Sequence, residues 1–407
     1  MARPISIDDK GNLQVPNTPI IPFIQGDGIG KDIWPAAQRV MDAAVAAEYG
    51  SARRIQWLEV AAGETAFQST GDGLPQACLE TIAAHHVAIK GPLATPVGKG
   101  ARSLNVRIRQ GLDLFACIRP VKYYPPVPNP VKHPEKVDIV VFRENTEDLY
   151  AGIEWDSLTP EAQKLLGILN SQFDCDLSST CSLGLKPISP EKSKRLIRSA
   201  LTYALDNQRQ SVTLMHKGNI MKFTEGGFRR WGYEVAAEEF AGRVITEEQL
   251  KTDYNGRLPK GMVVLRDRIA DMIFAEVLLR PESFDVIASP NLNGDYISDA
   301  LAAQVGGLGI APGANVGKNC AVFEATHGTA PDIAGMDMAN PCSLILSGAM
   351  MMDHLGWQGV GDRIRTAVAT ALSGGKTTAD LAGQIQGGEA VPCSQFADIL
   401  VGVLTSS

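Results

Sequence analysis

Short apolar runs alternate with stretches of helical periodicity along most of the chain. The first run, residues 18–25, ends at the glycine-rich turn 26–30, after which Ile33, Ala37 and Val40 recur at the spacing of an amphipathic helix. Six further runs have the length and apolar content of buried strands, at residues 86–89, 114–118, 137–142, 211–215, 284–288 and 321–325. Because strands and helices alternate, the pattern predicts an α/β protein with a large sheet.

Two segments interrupt this alternation. Residues 123–134 (YYPPVPNPVKHP) are dense in proline, which cannot donate to a sheet ladder, and they predict a surface loop. Residues 155–186 combine a polar helical stretch with a Ser/Thr/Cys-rich piece, and they predict an inserted subdomain. A chain of 407 residues favours two or three domains, at about 100 to 200 residues per domain.

Composition and charge exclude several classes of protein. With 44% hydrophobic and 20% charged residues, the chain is typical of a globular protein rather than a disordered or fibrous one. A formal net charge of −7 predicts no nucleic-acid or anionic-membrane partner. Seven cysteines without a Cys-x-x-Cys pair argue against a disulfide framework or a zinc ribbon. No signal-like or membrane-spanning apolar run is present, so we expect a cytoplasmic protein.

Two glycine loops carry only weak signals. Gly26, Gly28 and Gly30 follow a strand, but their spacing differs from the dinucleotide-binding fingerprint. A tight strand-to-helix turn is the simpler interpretation, and a ligand near Asp27 is the alternative. Residues 374–377 match only half of a phosphate-binding loop, which argues against a nucleotide hydrolase.

Basic and amide side chains cluster near apolar segments. Ser103, Asn105 and Arg109 lie in one polar stretch, while Arg119 and Arg143 each follow an apolar run. A guanidinium group beside a core is costly unless it is paired, and it matches a carboxylate in bidentate fashion. The pattern therefore favours a small ligand with two or three carboxylates, with structural ion pairs as the alternative.

Two residues are candidates for acid–base chemistry. Tyr150 ends a polar run after one strand, and Lys217 follows another strand on a loop. A phenol and an amine can transfer protons if their surroundings tune them. An ordinary half-buried tyrosine is the alternative for Tyr150.

Aspartates recur at a spacing of four residues. Asp295 and Asp299 are expected on one helix face, and Asp267 and Asp271 repeat the spacing. A hard divalent cation, Mg²⁺ or Mn²⁺, would compensate such carboxylates. Helix capping is the alternative for Asp295.

Five motifs occur in one order: Ser103-x-Asn105-x-x-x-Arg109, Arg143-Glu144-Asn145, His216-Lys217-Gly218-Asn219, Asn293-Gly294-Asp295-Tyr296-x-Ser298-Asp299 and Glu324-Ala325-Thr326-His327-Gly328-Thr329-Ala330-Pro331. In these motifs the chain closely resembles isocitrate dehydrogenase of the bacterial homodimeric type, in the β-decarboxylating dehydrogenase family, over about residues 20–397. The resemblance implies an α/β fold of the isocitrate/isopropylmalate dehydrogenase type, without Rossmann topology. It further implies a large domain (1–114 and 306–407), a small domain (115–149 and 190–305) and a clasp (150–189) at a dimer interface.

The resemblance also implies a role for each motif residue. Isocitrate would be bound by Ser103, Asn105, Arg109, Arg119 and Arg143, and Tyr150 and Lys217 would be the catalytic acid–base pair. Mg²⁺ or Mn²⁺ would be held by Asp267, Asp295 and Asp299. The nicotinamide cofactor would contact Thr95, Asn219, Glu324, His327, Gly328, Thr329, Ala330, Asp332, Ile333 and Asn340. Lys217 and Asp267 would come from the second subunit, so the active sites of a homodimer would be shared.

The implied reaction is oxidative decarboxylation of isocitrate to 2-oxoglutarate and CO₂. Relatives that use NADP carry Lys-Tyr after the HGTAP loop, whereas this chain has Asp332 and Ile333. A carboxylate there accepts hydrogen bonds from ribose hydroxyls and repels a 2′-phosphate, which predicts NAD as the cofactor. The alternative is that Asp332 caps a turn and specificity lies elsewhere.

Two other functions are compatible with the same motifs. The first is another dehydrogenase of the family, acting on homoisocitrate, isopropylmalate or tartrate. Ser103 and Asn105 argue against isopropylmalate, whose apolar group needs an apolar surface. The second is a catalytically silent regulatory subunit, against which Tyr150 and Lys217 argue.

Overall fold

The computed structural model describes residues 1–94 and 103–406. Its strands are β1 (Arg3–Pro4), β2 (Ser6–Ile7), β3 (Leu13–Gln14), β4 (Pro19–Ile24), β5 (Gln56–Glu59), β6 (Val87–Lys90), β7 (Ala116–Lys122), β8 (Asp138–Glu144), β9 (Glu154–Trp155), β10 (Leu183–Gly184), β11 (Ser211–His216), β12 (Val244–Thr246), β13 (Val263–Ile269), β14 (Val286–Ser289), β15 (Pro312–Val316), β16 (Ala321–Ala325), β17 (Lys376–Thr377) and β18 (Glu389–Ala390).

Helices separate most of these strands. They are α1 (Gly30–Tyr49), α2 (Glu64–Thr70), α3 (Gln76–His85), α4 (Leu104–Gly111), α5 (Pro160–Phe173), α6 (Pro190–Asp206), α7 (Glu225–Glu239), α8 (Glu247–Thr252), α9 (Ala270–Leu279), α10 (Asn291–Gln304), α11 (Cys342–His354), α12 (Gln358–Ser373), α13 (Ala379–Ala382) and α14 (Cys393–Thr405). Short 3₁₀ turns include Asp148–Ala151 and Pro331–Ile333.

Twelve strands form one mixed sheet. Its order is β1-β4-β6-β16-β15-β7-β8-β14-β11-β13-β12, with β5 also paired to β4. The strands on either side of the centre are parallel to their neighbours, but β15 and β7 are antiparallel to theirs. The predicted α/β fold with a large sheet is therefore confirmed, and the antiparallel centre distinguishes it from the purely parallel doubly wound sheet.

Each predicted apolar run overlaps a strand of this sheet. Five strands of the sheet were not predicted: β1, β5, β12, β13 and β15. β13 has the sequence VVLRDRI, in which charged residues interrupt the apolar run, and β15 begins with proline and contains glycine. Both lack the continuous apolar pattern of the strands that were predicted.

Four apolar cores pack against the sheet. The largest contains residues from both ends of the chain, among them Ile33, Leu344 and Phe396, which are completely buried. Two others cover the opposite faces of the strands near β8 and β11, and the fourth lies under α3 and α4. The division into large domain, small domain and clasp stays a prediction.

The segment predicted as an inserted subdomain contains α5 and a small antiparallel ladder. β9 pairs with β10 through Trp155 and Leu183, while Thr159 caps α5 by accepting from the Ala162 amide. The proline-rich segment contains no strand or helix over residues 123–133, in agreement with the predicted loop, and a short 3₁₀ turn begins at Pro134. Within 1–94 and 103–406, no helix has both the length and the apolar character needed to cross a membrane.

The glycine-rich turn 26–30 joins β4 to α1, as predicted. Asp27 is buried, and its carboxylate accepts from the backbone amides of Glu64 and Ala94, both at 2.8 Å. Gly28 has φ +55, and a Cβ there would lie 2.1 Å from the Thr329 carbonyl oxygen. The turn therefore supports the loop at Thr329 through a close backbone contact. The Asp27 carboxylate is used to bind the two backbone amides named above, which favours a structural role over the alternative of a ligand near Asp27.

Candidate active site

Helix α4 presents three of the predicted ligand-binding residues. Ser103 occupies the position before the helix but does not cap it with its side chain. Asn105 and Arg109 are four residues apart and lie on one face of α4. The Oδ1 of Asn105 and the Nε of Arg109 are buried and have no hydrogen-bond partner among the described residues. Both atoms are therefore available to a bound ligand.

Glu324, near the end of β16, is the buried carboxylate that pairs with Arg109 and Lys90. Its carboxylate lies 2.8 Å from Lys90 Nζ and 2.7 Å from an Arg109 nitrogen, and it accepts from Asn315 Nδ2 at 2.7 Å. Burial opposes ionisation of Glu324, but Lys90 and Arg109 hold its pKa well below the usual value. The charged carboxylate thus fixes the position of Arg109.

Arg119 and Arg143 extend from neighbouring strands towards helix α10. Arg119 donates to Ser298 Oγ at 2.7 Å and to Asp299 Oδ1 at 2.8 Å. Arg143 donates from Nε to Asn291 Oδ1 at 2.8 Å, and it also pairs with Asp295. The structural ion pairs considered above therefore exist, and one of their carboxylates, Asp295, lines a cavity.

Tyr150 lies over Arg143 and contacts the same aspartate. Its hydroxyl donates to Asp295 Oδ2 at 2.5 Å, and the Arg143 guanidinium carbon lies 4.7 Å from the ring centroid. Burial and, less strongly, Asp295 raise the pKa of Tyr150 to about 12. Burial opposes ionisation of Asp295, but Arg143 lowers its pKa overall. At neutral pH the phenol therefore keeps its proton beside a charged carboxylate.

These groups enclose a polar cavity of 240 Å³. Its lining residues are Lys90, Pro92, Leu93, Ser103, Asn105, Val106, Arg109, Arg119, Arg143, Tyr150, Asp295, Glu324, Ala325, Thr326, His327 and Gly328. With Asp299 added through its bond to Arg119, the described part of the site holds four cations against three carboxylates. The cavity therefore carries one excess positive charge before a ligand enters.

Lys217 and Asp267 lie outside this cavity. Lys217 follows β11 and pairs with Asp271, while Asp267 on β13 lies 3.0 Å from His216 Nε2 and accepts from Tyr233 at 2.7 Å. Burial opposes ionisation of Asp267, but the hydrogen bonds from His216 and Tyr233 lower its pKa well below the usual value. Within 1–94 and 103–406, no three His, Cys, Asp or Glu side chains come together as a metal site.

Asp267 and Asp271 repeat the four-residue spacing but do not share a helix. β13 continues to Ile269 and α9 begins at Ala270, so the two aspartates belong to different elements. Asp295 and Asp299 do share α10, as predicted. Asp295 lies in the second turn of α10, so it does not cap the helix.

The predicted cofactor residues fall into three groups. His327 and Gly328 line the cavity, and Glu324 lies beneath it. Thr329, Ala330, Asp332 and Ile333 continue along the same loop, and Asn340 follows it and donates to Asp380 at 3.0 Å. Asn219 is exposed on the loop of Lys217, and Thr95 lies outside the described residues.

Two residues that contact the Glu324 carboxylate, Lys90 and Asn315, were not predicted. Lys90 directly follows the apolar run 86–89, the same signal that identified Arg119 and Arg143. Asn315 donates to Glu324 and accepts from Asn145 at 2.9 Å, so it links two buried side chains. Nothing in the local sequence distinguishes Asn315 from a loop asparagine, because its strand was itself not predicted.

A family model for isocitrate/isopropylmalate dehydrogenases matches residues 20–400. The chain belongs to this family. The match spans the fold and every described residue of the cavity, so the predicted family is confirmed.

Named relatives resemble nearly the whole chain. A protein of Streptococcus mutans named isocitrate dehydrogenase [NADP] is 53% identical, covering 99% of this chain and all of that protein. A protein of Archaeoglobus fulgidus with the same name is 52% identical, covering 98% of this chain and 96% of that protein.

Solved structures agree with the fold. A crystal structure of isocitrate dehydrogenase from Methylococcus capsulatus has a TM-score of 0.78 and 35% identity, covering 95% of this chain and 99% of that one. A Thermus thermophilus protein has a TM-score of 0.80 and 32% identity, covering 99% of this chain and 72% of that one. The fold class predicted from sequence is therefore confirmed.

The prediction of NAD as the cofactor is contradicted by these relatives. Proteins 51–53% identical to this chain are named for NADP. The structure shows why the sequence argument was weak. Asp332 is exposed, so water and salt screen its charge, and Ile333 packs against the main core. An exposed carboxylate can turn away from a phosphate, and its presence does not exclude NADP.

Proposed function

We propose that the protein is an NADP-dependent isocitrate dehydrogenase that converts isocitrate to 2-oxoglutarate and CO₂. The main support is the cavity, where Arg109, Arg119 and Arg143 converge on a space that also holds Tyr150 and Asp295. Guanidinium groups bind carboxylates in bidentate fashion, and isocitrate has three carboxylates. The unpartnered Nε of Arg109 and Oδ1 of Asn105 provide one donor and one acceptor for such a ligand.

Charge balance supports a divalent cation in the same cavity. A trianion added to the single excess positive charge leaves two negative charges, which Mg²⁺ or Mn²⁺ would neutralise. Asp295 and Asp299 offer carboxylate oxygens from one face of α10, as such a cation requires, and Asp267 would complete the set from the second subunit. When bound, the cation polarises the C2 oxygen of the substrate and stabilises negative charge there.

The two proton-transfer roles are assigned to Lys217 and Tyr150. The partner subunit's Lys217 would take the proton of the C2 hydroxyl while hydride leaves C2. When bound, NADP accepts that hydride. The C3 carboxylate of the resulting β-keto acid departs as CO₂ and leaves an enolate. Tyr150, whose pKa is raised to about 12, would then give its proton to C3.

The loop after β16 offers a fitting surface for the cofactor. Burial lowers the pKa of His327, so its ring is neutral at pH 7. Its Nδ1 lies 2.9 Å from the Gly328 carbonyl oxygen and must donate to it, which leaves Nε2 as an acceptor. Nε2 is buried without a partner among the described residues, so it can accept from an amide or amino group of the cofactor.

A homodimer with shared active sites would bring the separated residues together. Lys217 and Asp267 lie outside the cavity of their own chain, and the nearby Phe223 has 87% of its surface exposed. On the predicted clasp, Leu158 and Phe173 are also exposed. Large exposed apolar side chains mark interaction surfaces. They support a dimer in which each subunit provides Lys217 to the other.

A substrate panel tests this proposal. Initial rates of NADPH formation are measured with isocitrate, homoisocitrate, isopropylmalate and tartrate, with Mg²⁺ or Mn²⁺ and with a chelator. We expect isocitrate to have the highest kcat/KM, and the chelator to abolish the rate. A higher kcat/KM for another acid would assign that substrate instead, and a folded protein inactive with all four would support the regulatory-subunit alternative.

A further inference from the structure

A buried bridge of three charged residues lies outside the cavity. Lys186 Nζ donates to Asp148 Oδ1 at 2.5 Å and lies 3.0 Å from Glu225 Oε1, an ion pair without hydrogen-bond geometry. The side chains of Asp148, Glu225 and Lys186 are 1%, 0% and 16% exposed. Charges buried to this degree are costly, and they persist only when several contacts satisfy them. We call these three residues the acidic bridge.

The Glu225 end of the acidic bridge holds the loop that carries Lys217. Its Oε2 accepts from the Lys217 backbone amide at 2.5 Å and from Asn293 Nδ2 at 2.9 Å. Glu225 is also the first residue of α7, where the helix dipole favours a carboxylate. One buried carboxylate therefore fixes the backbone at Lys217 relative to the start of α10.

The Asp148 end holds the turn that carries Tyr150. Its Oδ1 accepts from the Leu149 amide at 2.8 Å, and its Oδ2 accepts from the Leu292 amide at 3.0 Å. Asp148 has φ +70, a strained conformation that these hydrogen bonds stabilise. Leu292 lies in the first turn of α10, three residues before Asp295. The acidic bridge thus contacts the three segments that carry Tyr150, Lys217 and Asp295.

We propose that the acidic bridge is a positioning unit for proton transfer, in which Glu225 sets the Lys217 loop and Asp148 sets the Tyr150 turn. The inference rests on the proposed function. The Lys217 side chain pairs with Asp271 outside the cavity of its own chain, and its backbone amide donates to the buried Glu225 carboxylate. Lys186 pairs with both carboxylates of the bridge and offsets one of their two negative charges.

The two steps of the reaction separate this role from ordinary stabilisation. Oxidation at C2 requires Lys217, whereas protonation at C3, after loss of CO₂, requires Tyr150. Glu225→Gln keeps the size of the side chain but removes its charge. We expect it to slow isocitrate oxidation by about tenfold or more, because small misplacements of a reacting group are costly. Conversion of the added β-keto acid to 2-oxoglutarate, which includes the protonation at C3, should stay within about threefold of the wild type, because Asp148 still holds the turn that carries Tyr150.

Asp148→Asn should show the opposite pattern, with the β-keto acid step slowed more than in Glu225→Gln. The control is Glu239→Gln, at the exposed end of the same helix, where Glu239 pairs with Arg198. It should leave both steps unchanged. If Glu225→Gln does not fold, the double variant Lys186→Gln, Glu225→Gln removes one charge of each sign, and the same separation of steps is expected.

Inactivity of the wild type with isocitrate would contradict the proposed function itself. With an active wild type, an equal loss of both steps in folded Glu225→Gln, or no loss of either, would overturn the positioning role. Melting temperatures of all variants show whether the compared proteins are equally folded.

Discussion

At the residue scale, the proposed mechanism requires a tyrosine that stays protonated. Tyr150 is held by Asp295 and Arg143, and its pKa is raised to about 12, first by burial. Such a phenol is a proton donor at neutral pH and a poor base. The base in the proposed mechanism is the partner subunit's Lys217, because Lys217 lies outside the cavity of its own chain.

Replacing Tyr150 by Phe removes this proton donor and little else. We expect kcat to fall by about 100-fold or more, as is typical when a general acid is lost, with a small change in the KM for isocitrate. Steady-state rates at saturating NADP provide the measurement. Tyr203→Phe is the control, because Tyr203 packs on Phe142 away from the cavity. An unchanged kcat in Tyr150→Phe would refute the assignment.

A second residue-scale prediction concerns stability. Glu147 is buried beside Ser189, which donates to it from its amide and its hydroxyl, both at 2.9 Å. Burial raises the pKa of Glu147 to about 7, against 4.5 for a free glutamate. As pH rises from 4.5 to 7, the unfolded chain loses this proton more readily than the folded protein. The contribution of Glu147 to stability is therefore present below pH 4.5 and is lost as pH rises through 7.

Glu147→Gln should remove this loss, because the amide stays neutral. Between pH 5 and pH 8, the free energy of unfolding of the variant should gain about 1–3 kcal/mol relative to the wild type. Chemical denaturation at both pH values measures it. The control is Glu161→Gln, at an exposed position of α5, which measures the effect of losing a surface carboxylate on the free energy of unfolding. A constant difference between variant and wild type at both pH values would contradict the prediction.

At the element scale, the β4–α1 turn supports the loop that follows β16. The Ile29 amide donates to the Thr329 carbonyl at 2.9 Å, next to the position where Gly28 leaves no room for a side chain. The spacing of the glycines differs from the dinucleotide-binding fingerprint, and it correctly predicted a tight strand-to-helix turn. The close approach of Gly28 to Thr329 depends on the folded structure, because the two residues are far apart in sequence.

Gly28→Ala tests this contact. A Cβ 2.1 Å from the Thr329 oxygen must displace the loop, and we expect the KM for NADP to rise by about tenfold with a smaller change in the KM for isocitrate. Gly71→Ala is a matched control, because Gly71 also has positive φ, at +77, but open space around its Cβ position. If both variants have the same KM for NADP, the proposed support of the loop is absent.

The sequence predicted those strands that coincide with a continuous apolar run, and it missed strands without one. Apolar runs located the strands that carry Lys90, Arg119 and Arg143, because buried strands need continuous apolar residues. Five strands of the sheet were missed, among them β13, whose charged residues interrupt the apolar run, and β15, which contains proline and glycine. Asp267 and Asp271 repeat the four-residue spacing of a helix face, but spacing alone cannot place the boundary between β13 and α9.

At the scale of the whole molecule, the order of the five motifs along the chain identified the family, which no single motif did. Arg109, Arg119 and Arg143 lie far apart in sequence, and only the sheet brings them to one cavity. Family resemblance predicted that convergence, but the cofactor prediction relied on Asp332 and failed. The prediction did not take into account that the Asp332 side chain is exposed, and the residues around Asp332 in the sequence do not indicate this exposure.

The central claim is that this cavity oxidises and decarboxylates isocitrate with NADP. The most direct test is the stoichiometry of NADPH, CO₂ and 2-oxoglutarate formed from isocitrate and Mg²⁺, with NAD measured in parallel. We expect the three products in equal amounts and a higher kcat/KM with NADP than with NAD. Reduction of the cofactor without equal amounts of CO₂ and 2-oxoglutarate, or a higher kcat/KM with NAD, would contradict the account.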